Sequence, residues 1–267
     1  MISIINQQFI DAAKNNQLNE LKNLLSQGAD IHADNNIALL WASAHGHLKT
    51  VKFLVAHGAN VHANKGEALI WSAEKGQLEI VKFLVTQGAN IHADDDEAFK
   101  KSAYHGHFEV VKFLIEHGAN ISADDDWALR IVSYKGHLEV VKLLVTQGAN
   151  IHADDDGALR RAAENGHIEI VKFLVTRGAN IHADDDYALK WSAQYGHLET
   201  VKFLLTRGAD IHVNDNEVLK TATRNGNEPI LMLLNAFLTE EKLVVAALGS
   251  MPQTQLLLMT KTKRSKI

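Results

Sequence analysis

The chain has 267 residues, 46% of them hydrophobic and 22% charged, a globular balance that excludes wholesale disorder. It contains fifteen histidines, two prolines and no cysteine, which excludes a disulfide framework, a thiolate metal site and a cysteine nucleophile. The net charge of −5 splits into 23 basic and 32 acidic side chains over residues 1–260 and four basic ones beyond, so the acidic body argues against nucleic acid as a partner.

From the start, Met1 to Phe9 lacks a basic stretch followed by a long apolar one. No run approaches the roughly 18 uninterrupted apolar residues of a membrane span. A cytoplasmic protein without membrane association is therefore expected. Gln8–Asn15 and Leu18–Gln27 read as a first helix pair, with Asn15, Asn16 and Gln17 where a turn glycine would stand. A period then takes over. Gly-Ala-Asn/Asp begins at Gly28, Gly58, Gly88, Gly118, Gly148, Gly178 and Gly208, a spacing of 30 without insertion. A second marker, Gly-His or Gly-Gln, keeps the same spacing at Gly46, Gly76, Gly106, Gly136, Gly166 and Gly196. Such spacing belongs to a one-dimensional stack of equivalent units.

Each unit reads as two helices. In the fifth, Asp126 is placed to cap Trp127–Lys135, Gly136 ends that helix, and Leu138–Gln147 follows with Leu138, Val141, Leu144 and Val145 on one face. Ala149–Asp156 is too short and polar for another helix and is read as the turn into the next unit. First helices carry Ala-Leu or Ala-Phe (Ala38/Leu39, Ala98/Phe99, Ala188/Leu189) and, four residues on, small pairs such as Ser72/Ala73 and Ala162/Ala163. A lone unit could not bury these faces, so stability must come from its neighbours.

Near the end, Glu217–Asn225 and Glu228–Leu238 form an eighth pair. Residues 240–260 read either as a degenerate ninth pair closing the stack or as an adaptor motif. Lys261, Lys263, Arg264 and Lys266 make a basic tail over 261–267, a solvated end, a weak nuclear-import signal or a tether to an anionic surface.

The run His197-Leu198-Glu199-Thr200-Val201-Lys202-Phe203-Leu204-Leu205, with Gly208-Ala209-Asp210 after it, resembles the second helix and closing turn of an ankyrin repeat. The resemblance covers residues 6–238 and implies an all-α, ankyrin-type helical solenoid of about eight helix-turn-helix repeats over 1–239, with capping pairs at about 6–28 and 217–238. It departs from the family in two ways. Ankyrin repeats run to about 33 residues and open with Thr-Pro-Leu-His, whereas here Tyr187-Ala188-Leu189-Lys190 or Trp127-Ala128-Leu129-Arg130 stands at that place. Three residues are missing from the preceding turn, so the family's long hairpin is expected to be clipped short. Thirty-residue repeats worded Asp-Asp-Asp-Tyr-Ala-Leu also resemble those of amoeba-infecting giant viruses.

Six histidines share one turn position (His32, His62, His92, His152, His182, His212) and five follow a glycine (His47, His107, His137, His167, His197). Equivalent positions in adjacent units lie about 10 Å apart, too far to share a zinc ion at ~2.0–2.1 Å per ligand. The resemblance implies that the Gly-His histidines hydrogen-bond turn backbone between units, as in ankyrin repeats; His45/His47 and His105/His107 are the alternative, weak metal pairs. Asp-Asp-Asp at 94–96, 124–126, 154–156 and 184–186 lacks the spaced ligands and glycine of a calcium loop. It reads as solvated turns partly paired with bases four residues on, or as an acidic ladder for a basic partner. No phosphate-binding glycine loop, nucleophile elbow or His-Glu-x-x-His is present, so no enzyme and no cofactor are expected.

All four tryptophans and all four tyrosines lie on first helices. One face of those helices changes chemistry from unit to unit while the apolar positions barely change. Trp, Tyr and Arg dominate interface hot spots, and the resemblance implies that first helices line a concave groove. The candidate partner-binding residues are Lys101, Tyr104, Trp127, Arg130, Tyr134, Arg160, Arg161, Tyr187, Trp191 and Tyr195. The expected partner is a protein, bound by a monomer, and a host protein if the viral resemblance holds; a self-assembling virion component is the alternative.

Overall fold

The computed structural model describes residues 3–249. Among these, all regular structure is helical, in sixteen helices. The chain divides into two compact units, Met1–Ala162 with Glu169–Ala179, and Ala163–Ile168 with Asn180–Ile267.

In the first unit, helices alternate between two roles. The first helices α1 (Ile4–Lys14), α3 (Ala33–Ala44), α5 (Ala63–Glu74), α7 (Ala93–Tyr104) and α9 (Ala123–Lys135) pack one on the next. The second helices α2 (Leu18–Ser26), α4 (Leu48–Ala56), α6 (Leu78–Thr86), α8 (Phe108–Glu116) and α10 (Leu138–Thr146) each follow a first helix, and from α4 onward they too pack in succession. Most of α11 (Ala153–Glu164) and α12 (Ile168–Thr176) completes this unit. The second unit contains α13 (Ala183–Gln194), α14 (Leu198–Thr206), α15 (Val213–Arg224) and α16 (Glu228–Gly249), with α13 against α14 and α15, and α16 against α14 and α15.

The periodic small and apolar residues make the core. Ala98, Phe99, Ala128, Leu129, Ala158 and Leu159 are at most 2% exposed, as are Val111, Leu114, Val141 and Leu144 on the second helices. Small residues at the inter-helix contact let backbones approach. Ser72 donates to the Leu69 carbonyl at 2.8 Å and Ser102 to that of Phe99 at 2.9 Å within their own helices, whereas the buried hydroxyls of Ser43 and Ser133 have no partner among the described residues. Truncating a leucine such as Leu129 would cost about 2–5 kcal/mol.

The joints between repeats differ from the expected solvated turns. Each first helix from α3 to α15 opens with three residues in the left-handed region, for example Asp124, Asp125 and Asp126 at φ 52°, 56° and 54°. Seven such triplets recur, and apart from Lys65 and Gly66 every position is Asn or Asp. Ordinary L-residues are disfavoured there by about 1–2 kcal/mol each, whereas Asn and Asp tolerate it. The aspartate runs are thus a backbone requirement. Asn16, at φ 57°, does the same work where the first pair lacks its glycine.

In five triplets the third residue, Asn36, Asp96, Asp126, Asp156 or Asp186, is buried. Asp126, expected to cap its own helix, instead accepts the Asn150 N–H of the next repeat at 3.1 Å. Asn36 accepts from Asn60 at 2.8 Å and Asp96 from Asn120 at 3.3 Å within the first unit, and Asp186 from Asp210 at 2.9 Å within the second. Basic residues expected to pair four residues back also reach forward, Lys100 to Asp124 at 2.9 Å and Arg130 to Asp154 at 2.8 Å.

The last helix runs unbroken from Glu228 to Gly249, so residues 240–249 continue it; the remainder of the 240–260 segment and the basic tail lie outside the described residues.

Candidate partner-binding site

The variable face of the first helices is set by register. Residues 97, 127 and 157 fall in one column, 74, 104 and 134 in a second, and 71, 101, 131 and 161 in a third. In the first unit these columns line two hollows that share Trp127 as a wall. One, about 400 Å³, is bounded by Glu74, Glu97, Lys100, Lys101, Tyr104, His105 and Trp127. The other, about 250 Å³, is bounded by Trp127, Arg130, Ile131, Tyr134 and Arg161.

Of the candidate residues, Lys101, Tyr104 and Trp127 meet at the larger hollow, and Trp127, Arg130, Tyr134 and Arg161 at the smaller. Tyr104 and Tyr134 are exposed and Trp127 is half-buried. Lys101 lies 3.6 Å from Glu97 and 4.0 Å from Glu74. Arg130 is held at both ends of its guanidinium, by the Asp154 carboxylate at 2.8 Å and the Asp124 carbonyl at 2.9 Å. Its side chain lies across Gly157, where a Cβ would fall 2.9 Å from Arg130 Cδ; the missing side chain makes room for the arginine. Arg160 is drawn to the joint, donating to the Asp154 carbonyl at 2.6 Å, and lines neither hollow. In the second unit Tyr187 and Trp191 of α13 and Tyr195 at its C-cap follow one stripe, with ring centres 5.3 and 5.7 Å apart. The Tyr187 hydroxyl donates to Glu164 at 3.4 Å.

Five lining residues lie outside the candidate set: Glu97, Lys100 and Ile131, which share the variable face, and Glu74 and His105, which sequence reasoning missed. Column register would have found Glu74, since it stands where Tyr104 stands one repeat on, as Glu97 stands where Trp127 does. Burial opposes ionisation of Glu74, but the hydrogen bond and charge of Lys75, with Lys101, outweigh it and hold the carboxyl below its ordinary value. Burial is the main cause lowering His105, reinforced by His107, Lys75 and Lys101 against the pull of Glu74. His105 therefore favours its neutral form.

The Gly-His histidines lie at the joints as expected. Nε2 of His47, His107 and His137 lies 2.9, 2.7 and 3.1 Å from the carbonyls of Lys14, Glu74 and Tyr104, and in the second unit His197 reaches Glu164 at 2.9 Å. Among the described residues no group of three or more His, Asp or Glu side chains is disposed to hold a metal ion. No helix among them is long and apolar enough to cross a membrane.

A family model described as ankyrin repeats (3 copies) matches residues 9–95, 92–155, 129–215 and 159–242. No curated protein sequence matches the chain significantly.

Proposed function

Because the chain belongs to the ankyrin repeat family, whose members are non-enzymatic scaffolds for protein–protein interaction, we propose that it is a monomeric scaffold binding a partner protein on the variable face of its first helices. The observation that carries this reading is Trp127, a half-buried indole walling two adjacent hollows of the first unit. An aromatic edge between two concavities gives a partner side chain desolvated contact on either side, the usual setting of an interface hot spot. Lys101 and Arg161 bring positive charge to the rims for partner carboxylates, while Arg130, held by Asp154 and the Asp124 carbonyl, and Arg160 support the joint below. Tyr187, Trp191 and Tyr195 offer the corresponding face of the second unit. The likeness of the Asp-Asp-Asp-Tyr-Ala-Leu wording to giant-virus repeats supports a host protein as partner.

The test compares the wild type with a triple variant, Tyr104→Ala, Trp127→Ala and Tyr134→Ala, in affinity capture from cell lysate, with helicity measured on both. A protein held by the wild type should bind the folded variant at least about 30-fold more weakly, the equivalent of one hot spot of 2 kcal/mol. Equal retention by both would move binding off this face. A second reading, self-assembly, draws on Met232 and Leu243 of α16, which are 72% and 65% exposed. Sedimentation that shifts with protein concentration would favour it over the monomer.

A further inference from the structure

In the first unit the chain covers its own aromatic faces with cations. Lys14 Nζ lies 4.8 Å from the centre of the Trp41 ring and Lys75 Nζ 5.6 Å from that of Trp71. Lys135 Nζ serves two rings, Tyr104 at 4.3 Å and Tyr134 at 5.4 Å. Trp127 shares its hollows with Lys100, Lys101, Arg130 and Arg161. The attraction is that of a positive charge for the negative face of an aromatic ring.

In the second unit the rings of Trp191 and Tyr195 lack this cover among the described residues. Tyr195 is 52% exposed, Trp191 is half-buried, and the two rings stack with planes 26° apart. Among the described residues no lysine or arginine stands over either ring. Register explains why. Lys75 reaches Trp71 from four residues on, and the residue four after Trp191 is Tyr195. Lys135 reaches Tyr104 from 31 residues on, and the residue 31 after Tyr195 is Gly226, which has no side chain. The surroundings are acidic: the described residues of this unit carry eleven acidic and six basic side chains, and Glu164 stands at one end of the stripe.

We propose that the Trp191–Tyr195 face seats a lysine or arginine side chain of a partner protein, the cation that the first unit supplies for itself. The π faces attract the charge locally and the acidic surface of the unit steers it there. This inference concerns residues and a partner chemistry outside the triple-variant test, so the two succeed or fail separately.

The experiment is a titration of the full chain, with the tryptophan indole N–H resonances followed by NMR and that of Trp191 assigned through Trp191→Phe. The probe is a twelve-residue peptide alternating lysine and glycine, and its control is the same peptide with every lysine acetylated. The expected result is a saturable shift at Trp191 with the charged peptide and none with the acetylated one. Affinity should fall about two- to five-fold in Tyr195→Ala and be retained in Tyr195→Phe, which keeps the ring. Equal shifts at Trp41 and Trp71 would mean non-specific attraction to an acidic chain and would overturn the proposal. Absence of a saturable shift would overturn it as well. So would movement of the Trp191 resonance, before any peptide is added, when Lys261, Lys263, Arg264 and Lys266 are changed to glutamine, because the chain's own tail would then be the occupant.

Discussion

Ser122 stands where most repeats place a histidine, and it leaves a buried acid without the partner its equivalents have. His92, His152 and His182 bring Nδ1 to within 3.0–3.1 Å of Asp96, Asp156 and Asp186, four residues on. Burial lifts the Asp126 carboxyl above its ordinary value of 3.8, the hydrogen bond from Asn150 and the charge of Arg130 opposing. The folded chain therefore holds that proton more tightly than the unfolded chain does. The stability this contributes is fully present below pH 3.8 and is lost as pH rises through the lifted folded value. Asp126→Asn keeps the acceptor for Asn150, as Asn36 does for Asn60. It should stabilise the chain by up to about 1 kcal/mol at pH 7, with the gain vanishing below pH 4, measured by urea unfolding across pH. Ser122→His should raise stability at pH 6 by about 0.5–1 kcal/mol; no change would mean that the exposed histidines of this column are idle. The identity of the inward residue was visible in the sequence, but its role was not. A local window pairs Asp126 with its own helix, whereas its actual partner lies 24 residues away.

Helix boundaries were largely legible because glycine and periodic apolar residues set them, and the stretch that misled was the one where Asn and Asp build a left-handed turn. Propensity rules place Asp at a helix start as a cap; three in succession at positive φ mark a different device. Glycine positions invite a test at this scale. Gly106 has φ +74° and its Cβ would lie 2.5 Å from Nδ1 of His137, the histidine that holds the Tyr104 carbonyl. Gly226 has φ +64° and open space around it. Gly226→Ala should cost only the left-handed penalty of about 1–2 kcal/mol. Gly106→Ala should cost about 1–2 kcal/mol more, since the ring must move and the Tyr104 carbonyl loses its partner. Equal losses in denaturant melts would show that the histidine joint carries no stability. At the candidate site the aromatics were legible as a variable column, while Glu74 and His105 were not, because each looks ordinary in its own helix and gains meaning only beside the next repeat.

At the scale of the whole chain, the period alone disclosed an all-α stack of repeats, because a 30-residue unit too small to bury its own faces has to lean on copies of itself. Residues 1–260 carry 23 basic and 32 acidic side chains. Charges of one sign on the exposed triplets repel, so raising sodium chloride from about 20 to 150 mM should lift the melting temperature, the Debye length shrinking from tens of ångströms to about 8 Å. A melting temperature that falls with salt would show that the ion pairs along the joints outweigh the repulsion. The joints themselves have one further property. Their hydrogen bonds run between fixed offsets, 24 residues for the inward acceptor and 33 for the histidine, wherever in the first unit they occur. The chain is in this sense a sentence from which a clause can be removed without changing its grammar. Excising 94–123 would join Ala93 to Asp124, place His92 four residues before Asp126, and give that acid the ring it now lacks. Repeat number is then a heritable dial, able to lengthen or shorten the proposed binding face by one unit without any new interface having to evolve.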